Sequence, residues 1–402
     1  MLTVDEALSL ILREVQPFPP QRVPIVEAFG LALAEDVVSE VDSPPFDKSL
    51  MDGFAVRSGD VTAGAALKII EEVAAGRVPT KPVRSGEATR VMTGAPIPDG
   101  ADAVLPVEQT DFDARQVRII SAKLAPGSNV LRRGAAMRRG ERVFAAGPLL
   151  RPQGLALLAE LGHARPLVRR IPHVAVLATG DELVGIDETP GPGQIRNSNE
   201  TMLSAQIRHA GATPVPLGIA RDNRQHLWER IERGLEHDVL LLSGGVSAGK
   251  LDLVPEALAA CGVREVFHKV DVKPGKPVWF GVRSGSRDRN TCYVFGLPGN
   301  PVSSLVCFEL FSRTALRRLM GIEPAEPRSI GVPLAKDHLA RSDRPTYHPA
   351  RMDWTNTGPA VTPLPWQGSA DLRATVEANA MALVPAGERT YAAGELVEVF
   401  PW

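Results

Sequence analysis

The stretch that most limits what this chain can fold into is Asp238-Val-Leu-Leu-Leu-Ser243-Gly244-Gly245-Val-Ser247-Ala-Gly249-Lys250-Leu-Asp252. It reads as a short apolar strand, a glycine-rich loop and a helix running toward Cys261. A strand buried on both faces of a parallel sheet shows such a continuous apolar run. Glycines let the following backbone bend tightly and approach a ligand with no Cβ in the way. The N–H groups at the next helix start would face an anion. Gly244 to Lys250 matches the spacing of a Walker A loop as far as the lysine, but Leu251 stands where a Mg²⁺-binding hydroxyl belongs. The expectation is a phosphate-type cradle that is not a P-loop nucleotidase. An ordinary strand–turn–helix unit would carry the same residues, and this stretch alone does not separate the two.

The length of 402 residues predicts about two to four domains. A net charge of −2 gives no basis for non-specific nucleic-acid binding. The start, Met1-Leu-Thr-Val-Asp-Glu6, lacks the features of a signal peptide. No apolar run reaches the roughly 18 residues of a membrane span. A cytoplasmic protein with no nucleic-acid or membrane partner is expected. Cys261, Cys292 and Cys307 lack CxxC spacing and read as buried thiols of a reducing compartment. The 35 prolines and 36 glycines lie between periodic segments, which predicts many short strands and turns rather than disorder.

Thr3-Val-Asp-Glu6 is a capping box opening an amphipathic helix with Leu8, Ile11, Leu12 and Val15 on its apolar stripe. Residues 41–137 change to short strands (67–73, 88–92, 103–107, 115–120) between Gly and Pro turns, the spacing of a small β domain. Asp52-Gly53 and Met92-Thr93-Gly94-Ala95-Pro96 stand out there, although turn chemistry accounts for both. A helix from Pro152 to Leu161 returns toward the N-terminal helix, so residues 1–40 and 138–168 form a discontinuous, helical N-terminal domain. The β domain, 41–137, is inserted into it. Residues 169–322 alternate strand and helix and read as an α/β domain. Residues 323–402 read as a second β domain.

In an open α/β sheet, ligands bind outside the carboxyl ends of the strands. The loops Thr179–Leu183, Ile219–Asn223 and Ser243–Asp252 fall there and bring Asp181, Glu182, Asp222 and Asp252 to one edge. Carboxylates beside a phosphate cradle suit Mg²⁺, a hard cation that takes few protein ligands. Helix capping is the competing role, for Asp222 above all. Lys273-Pro-Gly-Lys276-Pro277 sets two ammonium groups on a stiff turn suited to an oxyanion, and Leu297-Pro298-Gly299-Asn300-Pro301-Val-Ser303 stops a strand and opens a helix.

Six segments occur in order: Pro44-Pro45-Phe-Asp with Met51-Asp52-Gly53-Phe-Ala, Met92-Thr93-Gly94-Ala-Pro, Thr179-Gly180-Asp181-Glu182-Leu, Ser243-Gly244-Gly245-Val-Ser247 through Asp252, Lys273-Pro-Gly-Lys276-Pro, and Leu297-Pro298-Gly-Asn300-Pro301. Together they resemble the molybdopterin molybdenumtransferase family, the MoeA proteins and the gephyrin E-domain, over nearly the whole chain. The resemblance implies a molybdopterin-binding three-layer α/β domain, beside the helical N-terminal domain, the inserted β domain and the C-terminal β domain. It implies a homodimer, and Mg²⁺-dependent hydrolysis of adenylylated molybdopterin coupled to insertion of molybdate, with release of AMP. The supplying adenylyltransferase and the acceptor molybdoenzymes are the implied further partners.

By the same resemblance, Asp52, Thr93, Glu182, Asp222 and Asp252 are the reactive cleft residues, with Glu182 and Asp252 as metal ligands. Asp52 and Thr93 would come from the partner chain. Thr179, Gly180, Asp181, Ser243, Gly244, Gly245, Ser247, Pro298, Asn300 and Pro301 would hold the pterin and its phosphate. Lys273, Lys276, Ser303, Arg351 and Ser369 would hold molybdate. The chain departs from the family at Arg133-Gly134-Ala135-Ala136-Met137, where relatives carry Gly-Glu-Asp. The lost acid is a cleft residue in the family. Its absence points to slow turnover, or to a paralogue that binds molybdopterin as a scaffold.

Overall fold

The apolar run Val239–Ser243 is buried from end to end, and a six-stranded sheet is built around it. The structure, a computed structural model, describes residues 1–120, 123–246, 253–285 and 290–402. Ser247, Lys250 and Asp252 lie outside the described residues. The chain divides into two compact units. One comprises Met1–Ala34, Gly147–Leu155 and Arg165–Trp402, the other Glu35–Ala146 and Ala156–Ala164.

In the first unit, α1 (Val4–Glu14) opens with the expected capping box: the Thr3 hydroxyl accepts from the Glu6 N–H while the Glu6 carboxylate accepts from the Thr3 N–H. The sheet strands and helices follow in the order β1 (His173–Thr179), α2 (Ser198–His209), β2 (Thr213–Ala220), α3 (Arg224–Gly234), β3 (Val239–Ser243), α4 (Leu253–Ala260), β4 (Arg264–His268), β5 (Trp279–Arg283), β6 (Cys292–Leu297), α5 (Pro301–Cys307), a π-turn (Phe308–Ser312) and α6 (Arg313–Leu319). The sheet order is β2-β1-β3-β6-β5-β4, parallel through the first four strands and antiparallel in the last two pairings.

Alternation along the strands makes three layers. Val174, Val176, Val239 and Leu241 face a core shared with Leu203 and Ile207 of α2, Leu316 of α6, and Ala7 and Ile11 of α1. Ala175, Leu177, Leu240 and Leu242 face Leu227 and Ile231 of α3 and Val254 and Leu258 of α4. Because side chains of a strand alternate between faces, each of these strands needs apolar residues at every position. Strand β5 was not expected. Trp279–Arg283 follows the Lys-Pro-Gly-Lys turn closely and reads as its continuation, yet it pairs antiparallel to β6, with Phe280 stacked on Phe295 at 4.7 Å. The helix that Pro301 opens is interrupted by the π-turn before it continues as α6.

The C-terminal strands of this unit are β7 (Ile330–Pro333), β8 (His338–Ser342), β9 (Thr346–Thr355), β10 (Gly358–Pro363), β11 (Ala380–Val384), β12 (Gly387–Tyr391) and β13 (Leu396–Pro401). Five form an antiparallel sheet in the order β7-β13-β11-β9-β10, and β8 pairs with β12. Their small core holds Val332, Ala350, Val361, Ala382 and Val399.

The second unit carries a six-stranded sheet. Its strands Ala66–Val73, Glu87–Val91, Ala103–Pro106 and Gln116–Ile119 match the four expected from turn spacing. Gly53–Val56 lies between Glu87–Val91 and Ala103–Pro106, with Phe54 and Leu105 fully buried. Among the described residues, no helix is long and apolar enough to cross a membrane.

Candidate functional site

Strand register sets the site. Ala178 pairs with Ser243, Ser243 with Leu297, and Thr179 with Ala220, so the four parallel strands end level at one edge. The loops leaving them line a cavity of about 780 Å³. Thr179, Gly180, Glu182, Asp222, Ser243, Gly244, Gly245, Pro298, Asn300 and Pro301 all line it. Asp181 joins them through its neighbour: its carboxylate accepts the Asp222 N–H at 3.1 Å, and the Asp222 carboxylate accepts the Asp181 N–H at 3.4 Å. Asp222 is not a helix cap. Asn223 is, accepting from the His226 N–H at 2.8 Å, which leaves the Asp222 carboxylate on the cavity wall.

Gly244 and Gly245 have φ of +95° and +66°. A Cβ at Gly244 would meet the Thr179 carbonyl oxygen at 2.7 Å, and one at Gly245 would meet Val254 Cγ2 at 2.5 Å. The loop thus lies against its neighbours as well as turning left-handed, and only glycine satisfies both conditions.

A buried residue that sequence reasoning passed over braces the cavity. The Asn199 amide donates to Ser243 Oγ and to the Gly299 carbonyl, each at 2.7 Å, so it joins the β3 loop to the β6 loop. In the sequence Asn199 reads only as part of a helix start. Its partners lie 44 and 100 residues away.

A second cavity, of about 710 Å³, lies between the Lys273–Pro277 turn and the C-terminal strands. Lys273, Lys276, Ser303 and Ser369 line it as expected. Arg351 does not. It stands on β9 opposite Thr362, and its guanidinium donates to Asp353, two residues along and on the same face of the strand. The cavity's guanidinium groups are Arg344, in the turn before β9, and Arg341 at the end of β8. Arg344 pairs with Asp343, which raises the arginine's pKa and holds the Asp343 carboxyl below the usual range. Lys273 Nζ is 4.0 Å from the same carboxylate, whereas Lys276 has no ion-pair partner among the described residues. Excess positive charge in a concave, partly desolvated site attracts anions.

His338 and His348 close the far wall, their rings edge-to-face at 5.2 Å, with Trp366 edge-to-face against His348 at 5.2 Å. Burial lowers the pKa of both imidazoles from the ordinary 6.5, with Lys336 acting in the same direction on His338. Both are neutral at pH 7. Titrating oxyanion affinity against pH is expected to show a flat profile from pH 7 to 8, and tighter binding only below 6.5, as protonation adds positive charge.

Asp52 and Thr93 belong to the second unit and meet there. The Thr93 N–H and hydroxyl donate to Asp52 Oδ1 at 2.6 and 2.8 Å. The N–H, then the hydroxyl, lowers the Asp52 pKa, so this pairing is lost as pH falls through the folded-state pKa. Thr93→Val removes only the smaller cause. An NMR titration of Asp52 is expected to move part of the way back to the ordinary value, and full reversion would contradict this division. The alanine departure is in the same unit: Ala135 and Ala136 are exposed on a turn fixed by the Ala136 N–H to the Ser43 carbonyl at 2.9 Å. Arg133 beside them is engaged with Asp42, and Arg132 with Asp47.

No set of three candidate metal-ligating side chains assembles among the described residues. One or two carboxylates plus substrate phosphates suffice for Mg²⁺. Glu182 and Asp222 on the cavity wall meet that need, and Asp252 lies outside the described residues.

Residues 2–162 match the MoeA N-terminal region (domain I and II), residues 175–318 a probable molybdopterin binding domain, and residues 332–402 the MoeA C-terminal region (domain IV). The chain is 33% identical to the molybdopterin molybdenumtransferase of Staphylococcus aureus strain Mu50 over 407 aligned residues, covering 99% of this chain and 95% of that protein. Identity to the enzyme of the same name from Staphylococcus epidermidis strain ATCC 35984 is also 33%, with the same coverage. A crystal structure of the molybdopterin biosynthesis MoeA protein from Pyrococcus horikoshii superposes with a TM-score of 0.80 at 30% identity, covering 100% of this chain and 99% of that one. With this identity over almost its full length, the chain belongs to the molybdopterin molybdenumtransferase family.

Proposed function

We propose that this transferase of molybdenum cofactor biosynthesis hydrolyses adenylylated molybdopterin and inserts molybdate, releasing AMP. The observation that carries the reading is the pair of adjoining cavities. One is lined by glycines, Glu182 and Asp222 at the strand ends, the other by Lys273, Lys276 and Arg344, and both are lined by Pro277, Pro298 and Asn300. The loop cavity has the form for a pterin phosphate and its AMP. The cationic cavity has the form for a tetraoxoanion.

The residues divide the work. Glu182 and Asp222 would hold the cation and orient the water that attacks the phosphoanhydride. Bound magnesium would offset the charge that develops on the phosphate oxygens. Lys273, Lys276, Arg344, Ser303 and Ser369 would hold molybdate beside the dithiolene, which contributes proximity rather than proton transfer. The reading includes a cytoplasmic homodimer, in which Asp52 and Thr93 of one copy serve the cavities of the other. It also includes an adenylyltransferase as supplier and molybdoenzymes as acceptors.

The test mixes purified protein with adenylylated molybdopterin, Mg²⁺ and molybdate. AMP is expected above a protein-free blank, and its absence while an active relative works in parallel would sink the reading. The exposed Ala135-Ala136 turn favours a second reading, a weakened paralogue that binds molybdopterin as a scaffold. Ala136→Asp adds a carboxylate to a backbone already fixed by Ser43. On the enzyme reading, wild type releases AMP measurably and the variant releases it about tenfold faster, the effect of about 1.4 kcal/mol off the barrier. A near-zero wild type with a large gain in the variant would favour the scaffold.

A further inference from the structure

Asn300 stands where a helix cap belongs and does not cap. It is the N-cap residue of α5, and its side chain makes no bond to that helix. Asparagine is among the strongest capping residues, so the forgone bond needs an explanation. The amide instead donates to Ser369 Oγ at 2.8 Å. The helix is satisfied from the same segment, since the Val302 N–H donates to the Ser369 carbonyl at 3.0 Å.

Segment 366–370 is therefore a strap laid over the start of α5. Gly368 and Ser369 line the cationic cavity, while Ala370 lines the loop cavity. Asn300 lines both. The strap is anchored beyond this point by Asp371, which accepts the Gln367 N–H at 3.1 Å and the Ala374 N–H at 3.3 Å. Gly368, at φ +120°, supplies a backbone conformation that other residues resist. Gln367 and Ala370 are exposed, so between the packed Trp366 ring and the Asp371 anchor the strap is held over α5 by the two bonds at Ser369.

We propose that Asn300 is a positioning residue that latches this strap between the two cavities and controls passage of the oxyanion from one to the other. Donating to Ser369, it holds the strap shut. Released, it turns back to cap α5, which keeps the helix end satisfied while the strap lifts. What passes the strap rests on the proposed function; the latch itself rests on the alternative partners of Asn300.

The test compares wild type with Asn300→Ser and Asn300→Ala. Serine still caps a helix but is one bond too short for Ser369, so it favours the lifted strap, whereas alanine loses both partners. In Asn300→Ser, hydrogen exchange along 366–370 is expected to quicken about fivefold, the population shift that loss of one hydrogen bond commands. Molybdate affinity by calorimetry in the absence of pterin falls by less than about tenfold, because Lys273, Lys276 and Arg344 stay in place when the strap carries Ser369 away. Single-turnover insertion of molybdate quickens with the exchange, and Asn300→Ala falls between the other two proteins. Unchanged exchange would overturn the latch, as would faster exchange with unchanged insertion. A tenfold loss of molybdate affinity would overturn it too, making Asn300 a direct oxyanion contact. Faster exchange in a protein whose wild type inserts no molybdate supports the latch and overturns the functional reading instead.

Discussion

Arg344→Ala is expected to weaken molybdate binding about tenfold to a hundredfold, while Arg351→Ala leaves it within about twofold. The first figure follows from losing a charge-assisted hydrogen bond, worth about 1.5–3 kcal/mol, in a partly desolvated site. Arg344 lines the cationic cavity with Lys273 and Lys276, and its side chain is 22% exposed. Its pairing with Asp343 holds the guanidinium in place without cancelling the cavity's charge, since Lys276 remains unpaired among the described residues. Arg351 is half-exposed and engaged with Asp353 on the outer face of β9. Exposed pairs of this kind contribute little beyond their own neighbourhood. Calorimetry on the two variants checks the contrast, and equal losses would contradict the position assigned to Arg344.

The second large effect is expected at Gly244. Gly244→Ala places a Cβ 2.7 Å from the Thr179 carbonyl oxygen, at φ +95°. Neither the backbone oxygen nor the left-handed conformation yields cheaply, because Gly244 is tied to β6 by its N–H to the Leu297 carbonyl at 3.0 Å. A residue held in such a conformation costs about 1–3 kcal/mol, before the clash is counted. The expected outcome is a fall of several degrees in melting temperature together with at least a tenfold loss of affinity for molybdopterin. Gly262→Ala is the control. Its φ is +77°, but a Cβ there meets nothing within 4 Å, so it should lose stability without losing the ligand. Equal ligand loss in both variants would show that the close approach to Thr179 is irrelevant.

The parts of the fold legible in the sequence were those with local signals. The capping box at Thr3, the buried run Val239–Ser243 and the turn-bounded strands of residues 66–119 each depend on neighbours a few positions away. Strand β5 was missed because Trp279–Arg283 is apolar at nearly every position and follows a proline-rich turn, so nothing local separates it from that turn. The site divides in the same way. Glycines and acids at strand ends reach the loop cavity because parallel strands of equal register must deliver their loops to one edge. The choice of Arg344 over Arg351 was not legible, since it depends on which residue ends the turn and which enters the strand. Asn199 and Asn300 act on partners 44 to 100 residues away, and short sequence patterns hold no record of such pairings.

The most direct test of the two-cavity account is anomalous diffraction at the molybdenum edge from crystals of the protein grown with molybdate. The account predicts one strong peak within hydrogen-bonding distance of Lys273, Lys276 and Arg344, between the Lys273–Pro277 turn and Ser369. A peak beside Arg351, or one in the loop cavity with the cationic cavity vacant, would contradict it.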